Sequence, residues 1–347
     1  RGHGRRTTGV AFSPEGGLLA TSGNDGLVRL WEPRTGRLVR VLRGIADNLT
    51  FATFSPAGTR LATATNDGGV HLWQAGTGTF ERELNVETDH VWAQAFNPGG
   101  EVLATANDDD TVRLWYWTTG REIVNLADHR GRVRSIDFSP DGARVATGCD
   151  DGLVRIWDAR SGTLLSELHG HTDRVYRVRH HPSGRTLASA GHDGTARLWD
   201  ARTGEPQRVL TRHAGRLWTC AFSPDGALLA TAGDDLVIHL WNAHTGHHLH
   251  TLPGHTRRVW AVEFSPDGTL LAGAGDDGAV ILWNVPDPTG RDAPSPRVTL
   301  LGLSEGWAAL APEGRYKREG NTAGEFWYAI GMCRFEPGEL DAYLPEV

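Results

Sequence analysis

The chain has 347 residues and a net charge of −7, with 39% hydrophobic and 22% charged residues. That is enough apolar material to bury a core and too little charge for a disordered polyampholyte. The negative balance weighs against a binder of phosphate backbones, so no nucleic-acid partner is expected. No apolar stretch approaches the ~20 residues a spanning helix needs, and no basic, then apolar leader opens the chain, so no membrane partner is expected either.

From the first residues onward one unit recurs. Trp31, Trp73, Trp115, Trp157, Trp199, Trp241 and Trp283 are spaced 42 residues apart without insertion or deletion. Asp25, Asp67, Asp109, Asp151, Asp193, Asp235 and Asp277 stand six residues before them. Phe12, Phe54, Phe96, Phe138, Phe222 and Phe264 keep the same register, and His180 takes that place in the fifth copy. A Pro-x-Gly follows each of these positions. Pro presets φ and Gly suits the last turn position, so each reads as a type I turn.

The fourth copy shows the unit. Val133, Ile136 and Phe138 mark one short strand, Ala143 to Thr147 a second, Leu153 to Trp157 a third and Thr163 to Leu168 a fourth. Turn residues separate them, and no helical period competes. One small twisted sheet cannot bury both its faces, but several arranged radially bury them against each other. The expected fold is therefore all-β: a seven-bladed β-propeller of four-stranded antiparallel blades over residues 1–302, with a C-terminal extension over 303–347.

These residues resemble the WD-repeat family, whose pattern of Gly-His, a strand ending in Phe-Ser-Pro-Asp-Gly, a Ser/Thr, an Asp turn and Trp-Asp is matched fully by Gly170-His171, Ser189, Asp193 and Trp199-Asp200. The resemblance implies a buried hydrogen-bond chain in each repeat: His171, Ser189, Asp193 and Trp199; His3, Thr21, Asp25 and Trp31; His129, Thr147, Asp151 and Trp157; His213, Thr231, Asp235 and Trp241. A His–Asp–Ser set also looks like a catalytic triad, but a set that recurs around a ring is structural, because a catalytic site does not repeat. Ile45 and Glu87 replace the histidine in copies two and three, and Gly273 replaces the hydroxyl in copy seven. Those blades should be softer, so Asp193→Ala should cost more stability than Asp67→Ala. Copy three, with Asn97 before Pro98, departs most.

Ring closure comes next in chain order. The chain begins at Arg1-Gly2-His3, in mid-motif, which reads as a piece of a longer protein. After Trp283 a Pro-rich loop, Pro286 to Pro296, leads to Val298-Thr299-Leu300-Leu301-Gly302, a copy of the fourth-strand pattern. Blade seven is therefore expected to take all four strands from its own sequence. In the tail, Trp307 to Leu310 and Arg315 to Lys317 flank Ala311-Pro312-Glu313-Gly314, a hairpin signal. Phe326 to Phe335 reads as a strand and Glu336 to Leu344 as a short cap. The tail is expected to fold as a lid on the propeller, the alternative being an independent docking segment. Gly324 to Gly331, Gly-Glu-Phe-Trp-Tyr-Ala-Ile-Gly, resembles the C-terminal end of propellers in large bacterial, especially actinobacterial, multidomain proteins, where the propeller follows an NTPase, kinase, protease or other effector domain.

In WD-repeat proteins three positions per blade tend to contact partners. Carried onto this chain, the first set is Arg6, Asn48, His90, Arg132, Arg174, Arg216 and Arg258. The second is Thr8, Thr50, Trp92, Arg134, Tyr176, Trp218 and Trp260, and the third Asn24, Asn66, Asp108, Asp150, His192, Asp234 and Asp276. Aromatics and arginines gather in blades three to seven. These types dominate binding hot spots, and arginine pairs carboxylate or phosphate bidentately. The expected ligand is a protein or peptide with acidic or phosphorylated groups, and Trp218→Ala and Trp260→Ala should each cost ~2 kcal/mol or more in binding.

No Gly-x4-Gly-Lys-Ser/Thr loop, no Cys-x2-Cys and no His-Glu-x2-His occurs. His247-His248-x-His250 lacks a fourth metal ligand, so no metal and no cofactor is expected. Cys149, Cys220 and Cys333 are odd in number and far apart, which fits a reducing, cytoplasmic compartment. The leading reading is a non-enzymatic interaction scaffold or sensor, the ligand-recognition end of a bacterial signalling protein whose effector domain lies outside this chain. A structural propeller assembling through its tail is the alternative. An enzyme with a channel site would need titratable groups converging on the axis, and the repeat positions are expected to offer none in a unique arrangement.

Overall fold

The computed structural model describes residues 6–43, 49–65, 68–86, 88–285, 292–302, 305–312, 316–321, 328–330 and 333–335. His3, Ile45, Asn48, Asn66, Asp67, Glu87, Gly324 to Trp327, Gly331 and the cap expected over Glu336 to Leu344 lie outside them, as does most of the Pro-rich loop. No helix among the described residues is long and apolar enough to cross a membrane.

Each repeat forms one antiparallel four-stranded sheet. In blade four the strands are Val133–Phe138, Arg144–Cys149, Val154–Asp158 and Leu164–Leu168, paired in sequence order. The first two strands are joined as the Pro-x-Gly signal predicts. Gly142 takes φ 71° and donates its N–H to the Ser139 carbonyl at 2.8 Å, while Ser139 Oγ accepts the Arg144 N–H at 2.9 Å. Positive φ is why the last turn position is Gly.

The innermost strands stand side by side around the axis: Thr7–Phe12, Leu49–Phe54, Val91–Phe96, Val133–Phe138, Val175–His180, Leu217–Phe222 and Val259–Phe264. Each lies against the next, and Thr7–Phe12 lies against Val259–Phe264, which closes the ring. The core sits between blades. Val154, Ile156 and Leu168 of blade four pack on Val175, Val178, Leu187 and Trp199 of blade five, and six similar clusters fill the other joints. Each sheet thus buries on its neighbour the face it cannot bury alone.

Blade seven takes Val259–Phe264, Leu270–Gly275, Ala279–Asn284 and Ser295–Gly302 from its own sequence, as expected. The hairpin then extends the same sheet. Glu305–Leu310 pairs with Ser295–Gly302, and Tyr316–Asn321 with Glu305–Leu310, giving six strands. The boundary at residue 302 therefore falls between two strands of one continuous sheet. Trp307 is 6% exposed and meets Trp31 of blade one edge to face, centroids 6.2 Å apart. Among the described residues no strand is exchanged between blades one and seven, and this contact and the Arg297 Nη2–H bond to the Arg34 carbonyl, 2.8 Å, tie the joint from outside.

One strand expectation needs correction. Phe326 to Phe335 is not a single strand: Tyr328–Ile330 and Cys333–Phe335 pair antiparallel with each other. An apolar run records a tendency to be extended, not where the chain doubles back.

Candidate functional site

One end of the ring is lined by the starts of the innermost strands and the turns holding the repeated aspartates. There the structure brings together the aromatic and arginine residues expected to meet a partner. The indole N–H of Trp92 donates to Asp108 at 3.1 Å, that of Trp218 to Asp234 at 2.7 Å and that of Trp260 to Asp276 at 2.6 Å. Each bond joins a first strand to the Asp turn of its own blade. Tyr176 stacks on His192 at 4.3 Å and meets the edge of Trp218, which lies 4.2 Å from Trp260. Arg134 is held bidentately by Asp150 at 2.9 and 2.7 Å, and its guanidinium lies over Trp92 at 4.6 Å and Tyr176 at 5.2 Å. Arg258 bridges Asp276 at 3.1 Å and Asp234 at 3.5 Å. Arg6 of blade one reaches Asp276 at 2.6 Å and covers Trp260, so the cluster also crosses the closing joint.

These contacts divide the expected residues into two layers. Trp218 is 6% exposed, so it supports Tyr176 and Trp260 and presents little of its own face. Arg134 is committed to Asp150, and Asp150, Asp234 and Asp276 already serve as acceptors. Above them Arg132 and Arg174 have half-exposed side chains, 50% each, with only long approaches to Asp108, 3.8 Å, and Asp150, 3.9 Å. Arg216 is exposed and has no ion pair among the described residues. It borders a groove of about 450 Å3 between blades five and six, together with His192, Thr195 and Arg212. Arg212 is exposed and likewise has no ion pair among the described residues; the family's three contact positions did not include it, but an arginine one residue before His213 was there to be read.

The buried networks behind this mouth fix its geometry. In blade five Trp199 N–H donates to Ser189 Oγ at 2.8 Å, the hydroxyl meets His171 Nε2 at 2.7 Å and His171 Nδ1 meets Asp193 at 2.9 Å. Every member thereby has a partner, which rigidifies the blade. Ser189 is fully buried, so it cannot attack a substrate. Burial raises the Asp193 pKa, but the hydrogen bond and charge of His171 outweigh it and hold the carboxyl well below its ordinary value. Blade six repeats the set with His213, Thr231, Asp235 and Trp241.

Blade four corrects the expected pattern. His129 Nε2 bonds Thr147 at 2.9 Å, but Asp151 turns instead to the buried Arg155, 2.8 Å away, and His129 Nδ1 is left buried without a partner. Burial, then the Arg155 charge, pulls the His129 pKa down to about 4. In blade seven His255 keeps Asp277 at 3.0 Å, while Gly273 supplies no hydroxyl and His255 Nε2 has no partner.

A second set of groups converges on the axis, against expectation. Asp137, Arg177, Arg179 and Glu263 all come from innermost strands. Asp137 accepts the His180 N–H at 2.6 Å and meets His180 Nδ1 at 3.1 Å and Arg179 at 3.4 Å. Their signal was in the repeat. The residue before the repeated Phe is Ala11, Thr53, Ala95 and Ala221 in four copies but Asp137, Arg179 and Glu263 in the other three. Blade six also holds a group able to ligate a cation: His213, Asp235 and His239, with His239 Nδ1 3.0 Å from His248 Nε2. Both nitrogens of His213 already serve Asp235 and Thr231, and Asp235 Oδ2 is taken by His213, which leaves Asp235 Oδ1 and His239 Nε2, short of a closed tetrahedral set.

A closed ring of seven small sheets, braced in six blades by a tryptophan–hydroxyl bond, is a β-propeller platform. The WD domain, G-beta repeat family (WD40) matches residues 1–32, 36–74, 78–116, 120–158, 162–200, 204–242 and 246–284. The chain belongs to that family, whose propellers typically act as non-catalytic scaffolds for protein or peptide partners.

Proposed function

We propose that the arginine-rimmed mouth of blades three to seven grips a protein or peptide through its acidic or phosphorylated groups. The observation that carries this reading is Arg216 and Arg212, exposed beside one groove with no ion pair among the described residues, flanked by the loosely paired Arg174 and Arg132. Of these arginines Arg132 lies over the Trp92 ring at 4.9 Å, and a guanidinium oriented in this way loses little entropy on pairing a carboxylate or phosphate. Tyr176 and Trp260 are half-buried, and what remains exposed of their rings is left for the ligand's apolar parts.

In the wider protein we read the propeller as the ligand-recognition part of a cytoplasmic bacterial signalling protein, acting on an effector domain outside this chain, with residues from 303 onward as an extension packed on it. The resemblance of Gly324 to Gly331 to bacterial multidomain propellers supports that context. The test is a peptide array of acidic, phosphorylated and neutral sequences probed with the full chain. Acidic and phosphorylated peptides should be retained and lost at least tenfold by Arg174→Glu with Arg216→Glu. Equal retention by wild type and variant contradicts the proposal.

A further inference from the structure

The axial channel carries an arginine that the rest of the fold does not neutralise. Arg177 and Arg179 lie two residues apart on Val175–His180, so both project from the same face of that strand into the channel. Arg179 has Asp137 at 3.4 Å. Arg177 has no ion pair among the described residues; its guanidinium faces the Phe51 ring of blade two at 5.6 Å, and its Nε is buried without a hydrogen-bond partner. A buried donor left unpaired is costly, and the great majority of such groups in folded proteins have a partner.

The acids of the channel do not supply one. Asp137 is committed to the N–H and ring of His180 as well as to Arg179. Glu263 accepts the Phe12 N–H at 3.3 Å, and burial pushes its pKa upward, toward the neutral acid. Burial and the neighbouring Arg179 charge draw Arg177 down to about 9, so it is still a cation at neutral pH. Among the described residues no carboxylate of the channel pairs with Arg177. Beside it the channel opens into a cavity of about 190 Å3, room for about six waters, walled by Arg177, Arg179 and Asp137 on one side and Phe51, Thr53, Ala93, Gln94 and Ala95 on the other.

We propose that this cavity binds a small carboxylate, its oxygens on the Arg177 guanidinium and its short alkyl part against Phe51 and Ala93. A monoanion would give the Arg177 guanidinium the partner it lacks among the described residues. A planar carboxylate matches the guanidinium fork, and an alkyl tail of two or three carbons has Phe51 and Ala93 to lie against. The inference is independent of the rim, because none of its residues lies there.

The probe is propionate, added to the full chain at constant ionic strength against chloride. Saturation-transfer NMR should show its methyl group in contact with the protein, and the thermal midpoint should rise with propionate concentration, as it does for any ligand of the native state. Arg177→Gln should weaken the apparent affinity at least tenfold, and Arg160→Glu, at an exposed turn away from both the channel and the rim, should leave it unchanged. Should Arg177→Gln fail to fold, Arg177→Lys, which keeps the charge but not the fork, should bind several-fold more weakly. In the wild type, propionate should then shift the Arg177 Nε–H resonance, identified by its loss in that variant. No saturation transfer, a response matched by chloride, or equal binding by a folded Arg177 variant overturns the proposal.

Discussion

At the residue scale, one hydroxyl in each of blades four, five and six links a buried indole to a buried imidazole. Ser189→Ala removes the acceptor of Trp199 N–H and the partner of His171 Nε2 together. It should cost about 3 kcal/mol in denaturant unfolding, two buried groups being orphaned by one change. Protons act at the same scale. The unfolded histidine titrates near 6.5, while burial holds folded His129 and His239 at about 4. The unfolded chain therefore binds more protons between those values, and stability falls as pH drops from about 6.5 to about 4, by up to about 1.4 kcal/mol per pH unit for each histidine. Below that, carboxylates whose pKa is lowered in the fold, Asp193, Asp235 and Asp277, lose their contribution as well. Thermal midpoints from pH 7 to pH 4.5 should trace this fall, with a shallower slope in His129→Gln.

Elements are where the sequence was most and least legible. The tryptophan spacing located every blade because in six of the seven the Trp has one geometric duty, a bond from the third strand to a hydroxyl on the second, as between Trp157 and Thr147 at 3.0 Å. The same spacing could not show that Arg155 would take Asp151 from His129, since that competition exists only once a buried cation and the carboxylate share one side of the sheet. Nor could it show the aromatic mouth dividing into a buried layer and an exposed one. Trp218 and Trp260 occupy equivalent repeat positions, yet Trp218 is enclosed by Tyr176, His192 and Trp260 together. The hairpin after residue 304 was legible as a hairpin but not as the brace of the closing joint. Trp307→Ala should destabilise the chain by about 3–5 kcal/mol. By hydrogen exchange it should expose blade one and blade seven while leaving blade four protected; uniform loss of protection would assign the hairpin no local role.

For the whole molecule, the ring is a rigid disc whose two ends and axis present different chemistry. The mouth carries guanidinium groups over indoles and the axis a charged channel, and under the proposed function a partner is selected by charge at the rim before shape. Rim binding should weaken steeply with added salt, because the groups involved are exposed and screened. The most direct measurement is the hydrogen-exchange footprint of the best acidic or phosphorylated peptide on the full chain. Protection should appear in the turns around Arg132, Arg174 and Arg216 and in the neighbouring Asp turns of blades four to six. Protection confined to the opposite end of the ring, at the Ser139–Gly142 and Ser183–Arg185 turns, or to the hairpin of residues 305–321, would contradict the account.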